Sequence, residues 1–130
     1  MEHMIEDFIA SLTRLESYKG QLEHIEVIPA RTASYGALDK PLPKNIADYL
    51  NQRKIRLYTH QATAINKIRQ GKNVIISTPT ASGKTLAFNI PVFEALYENN
   101  KATALYIYPT KALTNDQLQV LRGMEREVRI

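Results

Sequence analysis

The chain of 130 residues contains no cysteine, which excludes a disulfide and a thiolate zinc site within it. It also lacks an apolar run of about 18 residues, so no membrane-spanning helix and no membrane partner are expected. Its opening, MEHMIEDF, is acidic where a secretory leader would be basic. A cytoplasmic chain fits these absences. His3, His24 and His60 stand without a second histidine or a carboxylate at ligand spacing and read as non-metal histidines. What remains is ordinary for one small globular domain, 44% hydrophobic and 23% charged. A formal charge of +4 permits a nucleic-acid partner without requiring one.

The most informative stretch is residues 73–85, NVIISTPTASGKT. A β-branched run (Val74, Ile75, Ile76) leads into small residues, then Gly83-Lys84-Thr85, then an amphipathic segment. Strand, loop and helix in that order are the setting of a phosphate-binding loop. Small residues let successive backbone N–H groups turn toward phosphates, the Lys84 ammonium adds a mobile charge, and the Thr85 hydroxyl can ligate Mg²⁺. The positive end of the following helix dipole favours the same anion. One departure stands out: Thr78 occupies the position where the general pattern has glycine. A strand and helix joined by a Ser/Thr-rich turn is the plainer alternative.

Around this centre the apolar periodicity marks further elements. Ile5, Phe8, Ile9, Leu12, Leu15 and Tyr18 share one face of a helix over residues 4–18, an accessory helix ended by Gly20. HIEVIP alternates like a short strand, and residues 29–43 form a turn-rich connector carrying Arg31 and Tyr35. Leu42, Ile46, Tyr49 and Leu50 mark a second helix, followed by the basic cluster Arg53, Lys54 and Arg56, either a solvated turn or a nucleic-acid contact. A third helix takes Thr59 as N-cap, turns Ala62, Ile65 and Ile68 inward and stops at Gly71. Gln61 lies in its first turn, where an amide can pair with N6 and N7 of adenine at once or simply face solvent. Beyond the loop, Leu86, Ile90, Phe93 and Tyr97 continue as a helix kinked at Pro91 and closed by Glu98-Asn99-Asn100. ATALYIYPT then reads as a buried parallel strand, completing a β-α-β unit over residues 73–110 whose convincing core strands are 74–78 and 104–108. Thr110 and Lys111 open a last helix with Val120, Leu121 and Met124 on its apolar side. They either hold a nucleic-acid phosphate or are a plain N-cap beside a surface lysine.

LYTHQ, STPTASGKT and YPTKALTNDQ, in this order and spacing, resemble the Q motif, motif I and motif Ia of superfamily 2 DEAD/DEAH-type DNA helicases. With YKGQ, HIEVIPARTASY and LDKPLP upstream, the likeness narrows to the MrfA/YprA-like branch and covers residues 18–122. The resemblance implies an α/β fold: an incomplete RecA-like P-loop domain, a parallel sheet with flanking helices, preceded by an N-terminal helical accessory segment. Residues 1–40 are then accessory helix and connector, and 41–130 the first part of RecA-like domain 1. The implied activity is that of an ATP-dependent DNA helicase and translocase in DNA repair, moving 3′ to 5′. Its cofactors are ATP and Mg, and its partner is single-stranded or tailed duplex DNA. By motif, Gln61 recognises adenine. Thr80, Ala81, Ser82, Gly83, Lys84 and Thr85 wrap the phosphates, with Lys84 and Thr85 catalytic and Thr85 on Mg. Tyr35 stacks on the base, and Thr110 with Lys111 touches the DNA backbone.

The acidic motif of such enzymes, a second RecA-like domain with its arginine finger and a cysteine-rich C-terminal region are expected in the remainder of a full-length protein. No Asp or Glu here follows an apolar strand so as to replace the acidic motif, since Asp116 lies inside the last helix. Phosphoryl transfer depends on those parts, so residues 1–130 alone are expected to be inactive. The alternative to the front of a DNA motor is a nucleotide- or nucleic-acid-binding piece without catalysis of its own. A P-loop kinase or GTPase explains neither LYTHQ nor PTKAL.

Overall fold

The computed structural model describes residues 2–26, 32–78 and 83–128, with only the backbone of Glu2 and His3. The chain divides into two compact units, Met1–Thr32 and Ala33–Ile130.

In the first unit, helix α1 (Glu2–Thr13) is amphipathic as its spacing requires, but it ends well before Tyr18. Its apolar stripe has little burial to hold it helical, with Phe8, Leu12 and Leu15 61%, 41% and 54% exposed, and in its last turns the Ser11 and Thr13 hydroxyls donate to the Phe8 (2.7 Å) and Ala10 (3.0 Å) carbonyls. Turns then carry the chain to Gly20, which takes φ +79°. Residues 24–26 of HIEVIP have no regular structure, and the rest of that segment, with Arg31, lies outside the described residues.

The second unit contains α2 (Lys44–Gln52), α3 (Thr59–Arg69), α4 (Lys84–Glu98) and α5 (Lys111–Val128). Its core joins all four: Ile46 and Leu50 from α2, Ile65 from α3, Ile90 and Phe93 from α4, Met124 and Val128 from α5. Helix α5 turns residues 121, 124 and 128 inward, so Val128 takes the place expected of Val120, which is 45% exposed. Helix α3 closes with a Schellman motif, Gly71 N–H to Ile68 O (2.8 Å) and Lys72 N–H to Lys67 O (3.1 Å), with Gly71 at φ +73°. Its N-cap is Tyr58, not Thr59, whose hydroxyl instead pairs with that of Ser34 at 2.7 Å. Helix α4 runs unbroken through Pro91.

The connector is tied to α3 rather than loosely strung. Asn66 donates to Ala37 O (3.2 Å) and accepts from Asp39 N–H (3.0 Å), while Arg69 reaches Lys40 O (2.7 Å) and forms a half-buried ion pair with Glu94 of α4. Gly36 crosses α3 so closely that a Cβ there would stand 2.8 Å from the Ala62 methyl. Arg53 pairs with Glu127 and lies over the Tyr49 ring at 4.3 Å, so one member of the basic cluster is a clasp between α2 and α5.

The expected parallel sheet is not seen: among the described residues the β-pairing is a single antiparallel bridge between Tyr35 and Tyr58. Residues 74–78 and 104–108 carry no ladder. Their side chains still show traces of a two-residue alternation. Positions 74, 76 and 78 are half-buried, as are 106 and 108, whereas Ile75, Leu105 and Ile107 are 96%, 86% and 83% exposed. One face rests on the helices, and the other, apolar face is bare. A strand is stable only when its N–H and C=O groups pair with a neighbour, and neither segment has one among the described residues.

Candidate nucleotide and nucleic-acid site

Helix α4 begins at Lys84, directly after Gly83 in the left-handed conformation (φ 74°, ψ 28°). Glycine is needed here twice over, because a Cβ would also stand 2.8 Å from the Gln61 Nε2. Lys84 folds back so that its ammonium donates to the Thr78 carbonyl at 2.8 Å. Thr85 is half-buried in the first turn. Thr80, Ala81 and Ser82 lie outside the described residues.

Gln61 is neither exposed nor idle. It is 2% exposed; its Oε1 accepts from the Tyr58 backbone N–H at 2.8 Å, and its Nε2 donates to the Gly83 carbonyl at 2.6 Å. One amide thus caps α3 and anchors the start of α4. Periodicity shows only that position 61 neighbours the inward Ala62; the partner 22 residues away is invisible to it. Each end of the amide keeps one further hydrogen-bonding position, and contact with a base requires its cover to open.

Tyr35 stands opposite Tyr58 in a non-hydrogen-bonded pair, flanked by Gly36 N–H to Leu57 O (3.0 Å) and Thr59 N–H to Ser34 O (2.9 Å). Side chains approach most closely at such pairs, and the rings stack with centroids 5.6 Å apart. Arg56 lies over the Tyr35 ring at 4.0 Å, and Tyr58 continues the stack to His60 at 5.8 Å. No local sequence pattern marks Tyr58 or Arg56 for this stack. A cavity of about 660 Å³ separates α3 from residues 74–78. Its described lining includes Thr63, Lys67 and Thr78 but neither Gln61 nor Lys84.

At the second helix start, Thr110 is the N-cap of α5: its hydroxyl accepts from Leu113 N–H at 3.2 Å and its carbonyl from Thr114 N–H at 3.0 Å. Lys111 is exposed beside it. An exposed lysine on the positive end of an 18-residue helix offers a place for one phosphate. Behind it, the Tyr106 hydroxyl donates to Asn89 Oδ1 at 3.1 Å, and burial pushes the Tyr106 phenol up to about 12.

The start of α4 is thus locked to a buried glutamine of the preceding helix. Residues 58–130 match the DEAD/DEAH box helicase family, and the chain belongs to it. Within that family it is a superfamily 2 chain of the MrfA/YprA-like branch. It is 40% identical over 121 residues to the ATP-dependent helicase hrq1 of Schizosaccharomyces pombe, covering 90% of this chain and 11% of that protein. To the ATP-dependent helicase YprA of Bacillus subtilis it is 39% identical over 99 residues, covering 72% of this chain and 13% of that one. Among solved structures, the DUF1998 helicase MrfA bound to DNA and AMPPNP superposes with a TM-score of 0.78 at 33% identity, over 96% of this chain and 17% of that chain. The chain therefore spans only about a tenth of the length of the curated relatives it matches. No helix among the described residues is long and apolar enough to cross a membrane.

Proposed function

We propose that this chain is the N-terminal part of a cytoplasmic ATP-dependent DNA helicase or translocase acting in DNA repair, with 3′ to 5′ movement on single-stranded or tailed duplex DNA. The observation that carries the reading is the Gln61–Gly83 hydrogen bond. It puts the residue suited to adenine against the residue that opens the phosphate-binding helix. The residues fit ATP with Mg: the Lys84 ammonium and the Thr85 hydroxyl both lie in the first turn of α4, where phosphate and Mg would be held. Lys84 would hold the β and γ phosphates, Thr85 the Mg ion, Gln61 the adenine edge and Tyr35 its face, with Thr80, Ala81 and Ser82 completing the cradle. ATP, when bound, supplies the phosphoryl group whose transfer to water drives movement. Thr110 and Lys111 would grip a DNA phosphate. The acidic motif, second RecA-like domain and cysteine-rich region belong to the remainder of the protein.

In full-length protein, Lys84→Ala should abolish ATP turnover, because no other side chain in the loop carries a phosphate-neutralising charge. Turnover equal to wild type would sink the assignment. A second reading, a binding piece without catalysis, draws on the bare Ile75, Leu105 and Ile107, which leave the site on an unfinished support. Residues 1–130 alone should bind a hydrophobic dye, melt broadly and show no DNA-stimulated hydrolysis. A sharp monomeric melt with DNA-stimulated turnover would overturn that expectation.

A further inference from the structure

Asn89 is hard to explain by stability alone. It lies in the second turn of α4, five residues beyond Lys84, and is 1% exposed between the buried Ala87 and Ile90. Asparagine is a poor helix former, and a buried amide is costly unless both its ends are satisfied; leucine has the same branched outline, though it is larger, and neither fault. Only one end is satisfied here. Asn89 Oδ1 accepts from the Tyr106 hydroxyl at 3.1 Å, whereas its Nδ2 is buried without a hydrogen-bond partner among the described residues.

Tyr106 is placed with equal care. Its ring meets Phe88 of α4 edge-on at 6.1 Å and stacks on Tyr108 at 6.3 Å, so it is held from two sides with the hydroxyl aimed at Asn89. The amide oxygen of Asn89 can only accept, so Tyr106 is the donor in this bond. Four residues further on is Thr110, the N-cap of α5, and then Lys111. One side-chain hydrogen bond therefore joins the phosphate-binding helix to the segment that leads into the helix proposed to grip DNA.

We propose that the Asn89–Tyr106 hydrogen bond is a positioning link that couples nucleotide binding at Lys84 to DNA binding at Thr110 and Lys111. The proposal rests on the functional reading above. A shift of α4 on nucleotide binding carries Asn89 with it, and Tyr106 passes that shift along the segment that ends at the α5 N-cap. The two residues touch neither ligand. By linkage, the factor by which nucleotide changes DNA affinity equals the factor by which DNA changes nucleotide affinity, so one number reports the link.

The test uses full-length protein and a fluorescent single-stranded oligonucleotide, titrated with and without a non-hydrolysable ATP analogue. Tyr106→Phe removes one oxygen and leaves both ring contacts, so folding should survive. The expected result is a coupling factor at least halfway to one on a logarithmic scale, with the affinity for each ligand alone within about twofold of wild type; couplings of 5–150-fold are typical. In an Asn89→Leu background, Tyr106→Phe should lower the coupling factor no further, since the two act through one bond. A coupling factor unchanged in Tyr106→Phe, a wild-type factor of one, an additive loss in the double variant, or equal weakening of both ligands with the factor intact would each overturn the link. Lys84→Ala and Lys111→Ala, measured in parallel, report on the functional reading separately: they can lose nucleotide and DNA binding as expected while Tyr106→Phe leaves the coupling untouched.

Discussion

The Gln61 amide nitrogen donates to the Gly83 carbonyl oxygen at 2.6 Å, joining the first turn of one helix to the N-cap of the next. The same side chain satisfies the Tyr58 N–H, so Gln61→Ala leaves two backbone groups unpaired. Stability should fall by about 1–3 kcal/mol, read by urea unfolding. If Gln61 also reads the base, the preference for ATP over GTP in competition binding should shrink in this variant. A preference that does not change would leave Gln61 a structural brace and nothing more.

Two glycines should respond to alanine with opposite signs. At Gly36 a Cβ would meet the Ala62 Cβ at 2.8 Å and the Thr59 backbone at 3.0 Å, so Gly36→Ala must push the connector off α3 and lose about 1–3 kcal/mol. Gly123 lies inside α5, where an added methyl would meet nothing within 4 Å, and Gly123→Ala should gain about 0.5–1 kcal/mol from helix propensity. Thermal unfolding of both variants checks the signs, and stabilisation by Gly36→Ala would mean the connector does not lie where described.

Lys111 on a DNA phosphate would contribute charge without sequence information. Lys111→Ala should weaken binding about equally for unrelated oligonucleotides and make the slope of log affinity against log salt shallower by about 0.7–0.9. An unchanged slope in a salt titration would return Lys111 to the role of a surface lysine beside an N-cap.

The Arg53 guanidinium holds the Glu127 carboxyl below its ordinary range. A carboxylate with a lowered folded-state pKa stabilises the fold above its unfolded value, and that contribution is lost as pH falls through the lowered value. Glu127→Gln should therefore melt slightly below wild type at neutral pH, with the gap closing in acid. Both side chains are well exposed, so the gap should also shrink in high salt. A gap that widens on acidification would contradict the pairing.

Two helix boundaries were legible because their signals are local, although the α3 N-cap fell on Tyr58 and not on Thr59. Gly71 ends α3 and Thr110 opens α5 through bonds that span a few residues. Core positions Ile46, Leu50, Ile65, Ile90, Phe93 and Met124 also follow from spacing alone. Legibility fails wherever the deciding partner is remote. The burial of Gln61 depends on Gly83, the stacking of Tyr58 on Tyr35, and the fate of residues 74–78 and 104–108 on neighbours that no local pattern supplies. The early end of α1 is a different case, in which an apolar stripe runs on in the sequence past the helix but is left exposed.

The exposure of Ile75, Leu105 and Ile107 has a consequence for biosynthesis. A ribosome adds about 5–20 residues per second, so under the reading proposed above the nascent polypeptide would display these side chains for seconds before later segments emerged to cover them. During that interval they have the character of a chaperone client site, β-branched and aliphatic, with open backbone edges. The yield of folded protein should then depend on chaperone supply and translation speed, even where the finished enzyme is stable.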